Sequence, residues 1–357
     1  MRQGISNLQL IFLVANFIFS SSIISLPQII VQIGGQNAWL VPLILFPLLL
    51  VVIFLIFGRN KRIEPLKNLF LVGNKSTLRE KGFIFFFLLF VVLTFLIDLR
   101  ALIDFIATVL LPTTPINMLM VLTILVITYI AMAGIEVISR INALHFVILL
   151  IVILILPFLL VNEWEGGNLQ PLPSLNTITS TMKTVFFSFS WMGEILFFII
   201  IIAKVNPVRE ARRAVITGTA LGLFLFLIIL ILEIMVLGTK IVKEALYPSY
   251  ILIQQINLTD FLDRLDLVIV AVWVPTLLAK ASFLLYAINH CFSYLYKSDT
   301  NKFLLPISFI LGFLAILLFK NNMDHLHFSF YSWDVLGLFL EVMIIFLFFL
   351  VKRIVRK

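Results

Sequence analysis

Phe186 to Pro207 reads FFSFSWMGEILFFIIIIAKVNP, and the class of the chain follows from how this stretch sits in a membrane. Glu194 lies near the middle of a run otherwise apolar enough for lipid, beside Gly193 and just after Ser188, Ser190 and Trp191. Insertion scales charge roughly 2.5 to 3.5 kcal/mol for a centrally placed acidic residue, so Glu194 should face a cavity, a partner or a proton. Gly and Ser continue a helix poorly, Gly by about 1 kcal/mol against Ala and Ser by competing for backbone hydrogen bonds. The stretch therefore predicts a helix interrupted at mid-membrane, tolerated only where the freed backbone is buried in protein or lines a water-filled site.

The rest of the chain agrees with a lipid setting. Hydrophobic residues make up 62% and charged residues 12%, with a mean hydropathy of +1.16, whereas soluble domains carry about 25% charged residues. No alternating pattern of a transmembrane barrel is present, and the class is an all-α polytopic membrane protein. The single cysteine, Cys291, excludes an internal disulfide and reads as a small buried apolar residue. The first apolar run, Leu8 to Ile33, is too long for a signal-peptide core and is read as span 1. About 20 residues per span place nine more near Ala38–Phe57, Phe83–Leu111, Ile116–Ala133, Ile141–Val161, Thr181–Ala203, Val215–Leu237, Leu267–Leu295, Phe303–Phe319 and Trp333–Val351.

With the N-terminus on the cytoplasmic side, nineteen of the 26 Lys and Arg fall in cytoplasmic connections and tails, so both termini are expected in the cytoplasm. The same placement explains the net charge of +8: the basic residues lie opposite anionic headgroups of membrane lipid and are not a nucleic-acid surface.

Ten spans divide into halves, with repeat one at about 1–161 and repeat two at about 162–357, forming one membrane domain over 1–357. Span 1 carries Ser20, Ser21, Ser22, Ser25 and Pro27 at mid-depth, and Pro removes a backbone donor there. Span 6 carries the FSFSWMGE break. Five spans per half make the halves antiparallel, and interrupted segments at matching positions point to an inverted repeat with its site at the midplane. The expected ligand-binding set is Ser20, Ser21, Ser22, Ile24 and Ser25 from span 1 with Ser188, Ser190, Trp191 and Gly193 from span 6. Gly193 is expected to leave backbone open to close approach.

Other intramembrane charges set the expected coupling or gating group. Arg100 and Asp104 are spaced i, i+4 and should pair. Lys280 in span 8 needs a carboxylate or carbonyls around it, and Asp98 and Glu194 are its expected partners. Asp98, Glu194 and Lys280 thus form the coupling set; Glu233 and Glu341 are read as helix-to-helix hydrogen-bonding groups. Gly218-x-x-x-Gly222 fits a close helix crossing. His325 and His327 near Asp324 read as solvated imidazoles, with no metal and no cofactor assigned. No nucleotide loop, nucleophile elbow or zinc signature occurs, and the chain is not expected to be an enzyme.

Several short motifs carry a family resemblance. ISNLQ (Ile5–Gln9), SSSIISLP (Ser20–Pro27), LPTTPI (Leu111–Ile116), GIEVISRIN (Gly134–Asn142), WMGEI with its basic loop (Trp191–Arg213) and FLDRLDLVIVAVW (Phe261–Trp273) resemble, in order and spacing, the B subunit of bacterial spore germinant receptors. That family lies in the amino acid–polyamine–organocation superfamily, which implies a LeuT-like 5+5 inverted repeat with broken helices 1 and 6. The resemblance implies a nutrient sensor in the inner membrane of the spore, working with an A-type membrane subunit and a C-type lipoprotein. It implies a small-molecule germinant: an amino acid, sugar or nucleoside. The sequence departs from the family pattern at Trp191 and Met192, where a Phe is frequent, and at Ala203 and Lys204, where a Pro often follows the helix. The alternatives that remain at the level of sequence are a proton-coupled amino acid secondary transporter and a conduit opened by the complex.

Overall fold

A computed structural model describes residues 4–23, 26–57, 78–170, 178–256, 265–297 and 300–354. In chain order the helices are α1 (Asn7–Ile23), α2 (Leu26–Gly34), α3 (Val41–Phe57), α4 (Leu78–Phe105), α5 (Ile116–Met132), α6 (Ile135–Leu159) and α7 (Ile178–Met192). They continue with α8 (Ala211–Leu232), α9 (Gly238–Glu244), α10 (Pro248–Gln254), α11 (Leu265–Tyr296), α12 (Leu304–Leu318), α13 (Asn322–His327) and α14 (Trp333–Ile354). Among the described residues, eight helical stretches are long and apolar enough to cross a membrane, and two shorter apolar helices, Asn7–Ser20 and Ile116–Met132, stand at the first and fourth expected spans. Together they occupy the ten positions read from the sequence. The protein is a multi-pass membrane protein.

In the first span the described helices are Asn7–Ile23 and Leu26–Gly34; the break expected at Ile24 and Ser25 lies outside the described residues. The sixth span leaves α geometry at Gly193 and continues as a 3-10 helix to Lys204, buried from Gly193 through Ile202. A 3-10 run of this length is uncommon. Its composition explains it in part, because Ile199 to Ile202 are four consecutive β-branched residues whose side chains crowd the preceding turn of an α-helix.

The spans are joined at their ends by polar clamps. Beside the N-terminus, β1 (Ile5–Ser6) pairs in parallel with β2 (Val205–Asn206), bringing the start of span 1 to the end of span 6. Asn7 Nδ2 donates to Glu210 Oε2 at 2.9 Å on the same side. At the opposite side Arg100 Nε meets Asp104 Oδ2 at 2.8 Å, and its Nη1 donates to the carbonyl of Phe319 at 2.6 Å. The expected i, i+4 pair is therefore present, and it also satisfies a carbonyl at the end of α12 that the helix itself leaves unpaired.

Gly218 and Gly222 of α8 form a close crossing with α1. A Cβ at Gly218 would lie 2.6 Å from the Ile11 carbonyl oxygen, and one at Gly222 would lie 2.8 Å from that of Ala15. Small residues at i and i+4 let the two backbones touch. Tight packing here seats the first half of span 1 against α8.

Candidate functional site at the helix breaks

Four spans converge on one ammonium. Lys280 Nζ, from α11, is 2.7 Å from Glu194 Oε2 at the start of the 3-10 segment and 2.8 Å from Asp98 Oδ2 of α4. It also stands 4.9 Å from the centre of the Phe17 ring of α1. Lys280 is only 2% exposed. Phe17 is in turn edge-on to Phe198 and Phe283, at 5.3 Å between centroids in each case, giving an aromatic shell on its side of the charge set. Such a shell lowers the local dielectric and raises the cost of leaving any member unpaired. Asn16 Nδ2 donates to the Thr276 carbonyl at 2.9 Å, fixing α1 against α11 one turn away.

Ser20, Ser188 and Ser190 are buried and turned back on their own helices. Ser188 Oγ donates to the Thr184 carbonyl at 2.8 Å, Ser190 Oγ to that of Phe187 at 2.9 Å, and Ser20 Oγ to that of Phe17 at 3.3 Å. Back-bonding of this kind bends helices, so these hydroxyls serve the breaks in this conformation. Ser21 and Ser22 belong to the last turn of α1. Trp191 Nε1 is buried without an acceptor among the described residues.

The approach expected at Gly193 is occupied. An added Cβ there would fall 2.1 Å from Cδ and Oε1 of Glu341 and 2.3 Å from Oε2. A carboxylate of α14 fills the space that glycine leaves, so Gly193→Ala would drive a methyl into Glu341. The two remaining acidic residues behave differently. Glu233 accepts a hydrogen bond from Ser249 at 2.6 Å, as a helix-to-helix group should. Neither oxygen of Glu341 has a hydrogen-bond partner among the described residues, contrary to its expected role. Glu341 carried the same sequence signal as Glu194, an acid within an apolar run; which residue it faces depends on how α14 is rotated and seated.

Above the break, on the side away from the N-terminus, α2, α7 and the start of α14 surround a cavity of about 750 Å³. Gln32, Ile33, Lys183, Phe187, Tyr331 and Asp334 are among its lining residues. Sequence reasoning did not find this vestibule, because its walls come from three segments distant in the chain. At the other end, Lys204 Nζ donates to the Tyr286 hydroxyl, joining the end of the 3-10 segment to α11. His325 and His327 do not converge. His325 packs edge-on to Phe319 at 5.0 Å and His327 against Tyr331 at 4.9 Å.

Solved structures of similar fold are transporters. A Na+-coupled sialic acid symporter in a substrate-bound outward-open state superposes with a TM-score of 0.61 at 14% identity, covering 95% of this chain and 78% of the symporter. Mhp1, a nucleobase-cation-symport-1 family transporter in a closed conformation with bromovinylhydantoin bound, gives 0.55 at 12% identity, covering 89% and 75%. The fold is LeuT-like, with the span 6 helix broken at Gly193. In Bacillus subtilis (strain 168), YfkT is 28% identical over 301 residues, covering 82% of this chain and 81% of that protein. Spore germination protein KB of the same organism is 26% identical over 219 residues, covering 60% and 58%. A family model described as spore germination protein matches residues 4–324. The chain belongs to the spore germination protein family.

Proposed function

We propose that this chain is the germinant-sensing membrane subunit of a spore germination receptor and binds a small molecule at the midplane, where spans 1 and 6 break. The observation that carries this reading is the meeting of the span 6 break with the buried Asp98–Lys280–Glu194 set, in a chain of this family. Ligand binding at the break moves the 3-10 segment, and Glu194 passes that movement to α4 and α11 through Lys280. A ligand shifts such an equilibrium only by its differential affinity for the two positions. Ser20, Ser21, Ser22, Ile24, Ser25, Ser188, Ser190, Trp191 and Gly193 are the proposed surroundings of the ligand; Asp98, Glu194 and Lys280 are the proposed gate. The receptor context adds an A-type membrane subunit and a C-type lipoprotein, the inner membrane of the spore, and cytoplasmic termini. The proposed repeats are 1–161 and 162–357.

Germination of spores carrying Trp191→Phe or Ser190→Ala tests the reading. The germinant concentration for half-response should rise several-fold at unchanged protein level, the size of one lost hydrogen bond of about 0.5–1.5 kcal/mol. Unchanged half-response in both variants would move the binding site elsewhere. Proton-coupled amino acid transport is the second reading, favoured by the transporter fold. Saturable, pH-gradient-driven uptake by the purified chain in liposomes would establish it, and absence of uptake alongside ligand binding leaves the sensor.

A further inference from the structure

Glu341 is 1% exposed, and both its oxygens are buried with no donor among the described residues. An ionised carboxylate in that condition is among the most costly groups a protein interior can hold, so the charge is neutralised either by a proton or by a positive partner that enters. Lys280 is engaged with Asp98 and Glu194. Among the described residues no Lys, Arg or His lies within ion-pair distance of Glu341.

Its place along α14 shows where such a partner would enter. Asp334, Gly337 and Glu341 are spaced by three and four residues and lie along one face of the helix. Asp334 lines the vestibule. A Cβ at Gly337 would come within 3.2 Å of Ser190 Cβ, and Glu341 abuts Gly193. At 1.5 Å per residue, Glu341 lies about 10 Å further along α14 than Asp334. One acid thus stands at the mouth and a second at the end of a seam between α7 and α14, closed at Gly337 in this conformation. Trp191, two residues before Gly193, supplies a buried indole N–H without an acceptor among the described residues.

Resting on the germinant-binding reading above, we infer that Glu341 is the cation-binding carboxylate of the site and that the germinant is a small molecule bearing a primary ammonium group, with an oxygen acceptor for the Trp191 indole. The ligand enters from the vestibule past Asp334, parts α7 from α14 at Ser190 and Gly337, and places its ammonium on Glu341 beside Gly193. Seating it opens the span 6 break. The class comprises amino acids and amino sugars; neutral sugars and nucleosides lack the required charge.

The test uses the full chain, purified in lipid nanodiscs at one pH, with probes matched in pairs: L-alanine and propionate, L-leucine and 4-methylpentanoate, glucosamine and glucose, with inosine as a further neutral probe. Binding is read as a concentration-dependent thermal shift. At least one amine should bind while its partner lacking the amine does not. Glu341→Gln, which keeps the shape and removes the charge, should weaken that binding about ten- to hundredfold, as expected for lost charge-assisted hydrogen bonds. Glu341→Asp should fall between, and gel filtration establishes that both variants are folded. Amine binding that survives Glu341→Gln unchanged overturns the assignment. So does the absence of binding by any amine, and so does stabilisation that follows pH alone, which would make Glu341 a proton site. Glucose or inosine binding that weakens with Trp191→Phe but ignores Glu341→Gln removes the ammonium and keeps the site at the break. Binding indifferent to Trp191→Phe, Ser190→Ala and Glu341→Gln together removes that site itself.

Discussion

Replacing Lys280 by Met tests whether the buried charge set holds spans 3, 6 and 8 together. The ammonium lies 2.8 Å from Asp98 and 2.7 Å from Glu194, so the two carboxylate oxygens are about 5.5 Å apart at most. Without the ammonium, two like charges at that separation repel by about 3 kcal/mol at an effective dielectric of 20. Removing one partner of a buried pair costs about 3–5 kcal/mol by the same physics. Unfolding of the purified variant in mixed detergent should therefore show a loss of about 3–5 kcal/mol, which shifts the folding equilibrium by about two to four orders of magnitude. The triple variant Lys280→Met, Asp98→Asn, Glu194→Gln should recover to within about 1 kcal/mol of wild type, because a buried ion set replaced by neutral groups is often close to neutral in stability. Stability of Lys280→Met within 1 kcal/mol of wild type would falsify the account of the cluster. A stable triple variant that still germinates at the wild-type germinant concentration would sink its proposed role in gating.

At the close crossing, Gly218→Ala and Gly222→Ala each push a methyl to within 2.8 Å of an α1 carbonyl oxygen. Normal contact is about 3.5–4.0 Å, so α1 and α8 must part by about 1 Å, and thermal melts should show about 1–3 kcal/mol of destabilisation; wild-type melts would mean the helices do not cross there. Gly193→Ala should displace the Glu341 carboxylate. A double-mutant cycle with Glu341→Ala should then give a coupling of at least 0.5 kcal/mol, whereas strict additivity would place the two side chains apart. For topology, single cysteines at Arg209 and Gly166, in a Cys291→Ala background, should label from opposite faces of the membrane. Same-face labelling would overturn the ten-span arrangement.

Much of this architecture was legible before any coordinates. The ten spans follow from apolar runs of sufficient length, since in lipid every backbone polar group needs an internal partner and helices are the economical solution. The break at Gly193 follows from local chemistry: Ser and Gly ahead of β-branched isoleucines. Even the partners of Lys280 were deducible, because few groups in an apolar chain can neutralise a buried ammonium, and Asp98 and Glu194 lay at compatible depths. The motifs of Phe261–Trp273 carried the family resemblance although Phe261–Arg264 lie outside the described residues.

What the sequence by itself determined is thus the set of local properties: which segments span, where they break and which charges are too costly to leave alone. Only the tertiary structure decided which faces meet. Ser188 and Ser190 read as ligand-binding residues, yet in this conformation they donate to carbonyls of their own helix. Gly193 read as open backbone, yet Glu341 from a segment nearly 150 residues away occupies it. Rotation of a helix by one residue, about 100°, moves a side chain from lipid to a neighbour without changing the hydropathy of the segment. In a chain this uniformly apolar the hydrophobic pattern constrains that rotation weakly, so the register of α14 against α7, and with it the second acid at the break, comes from packing across the whole bundle.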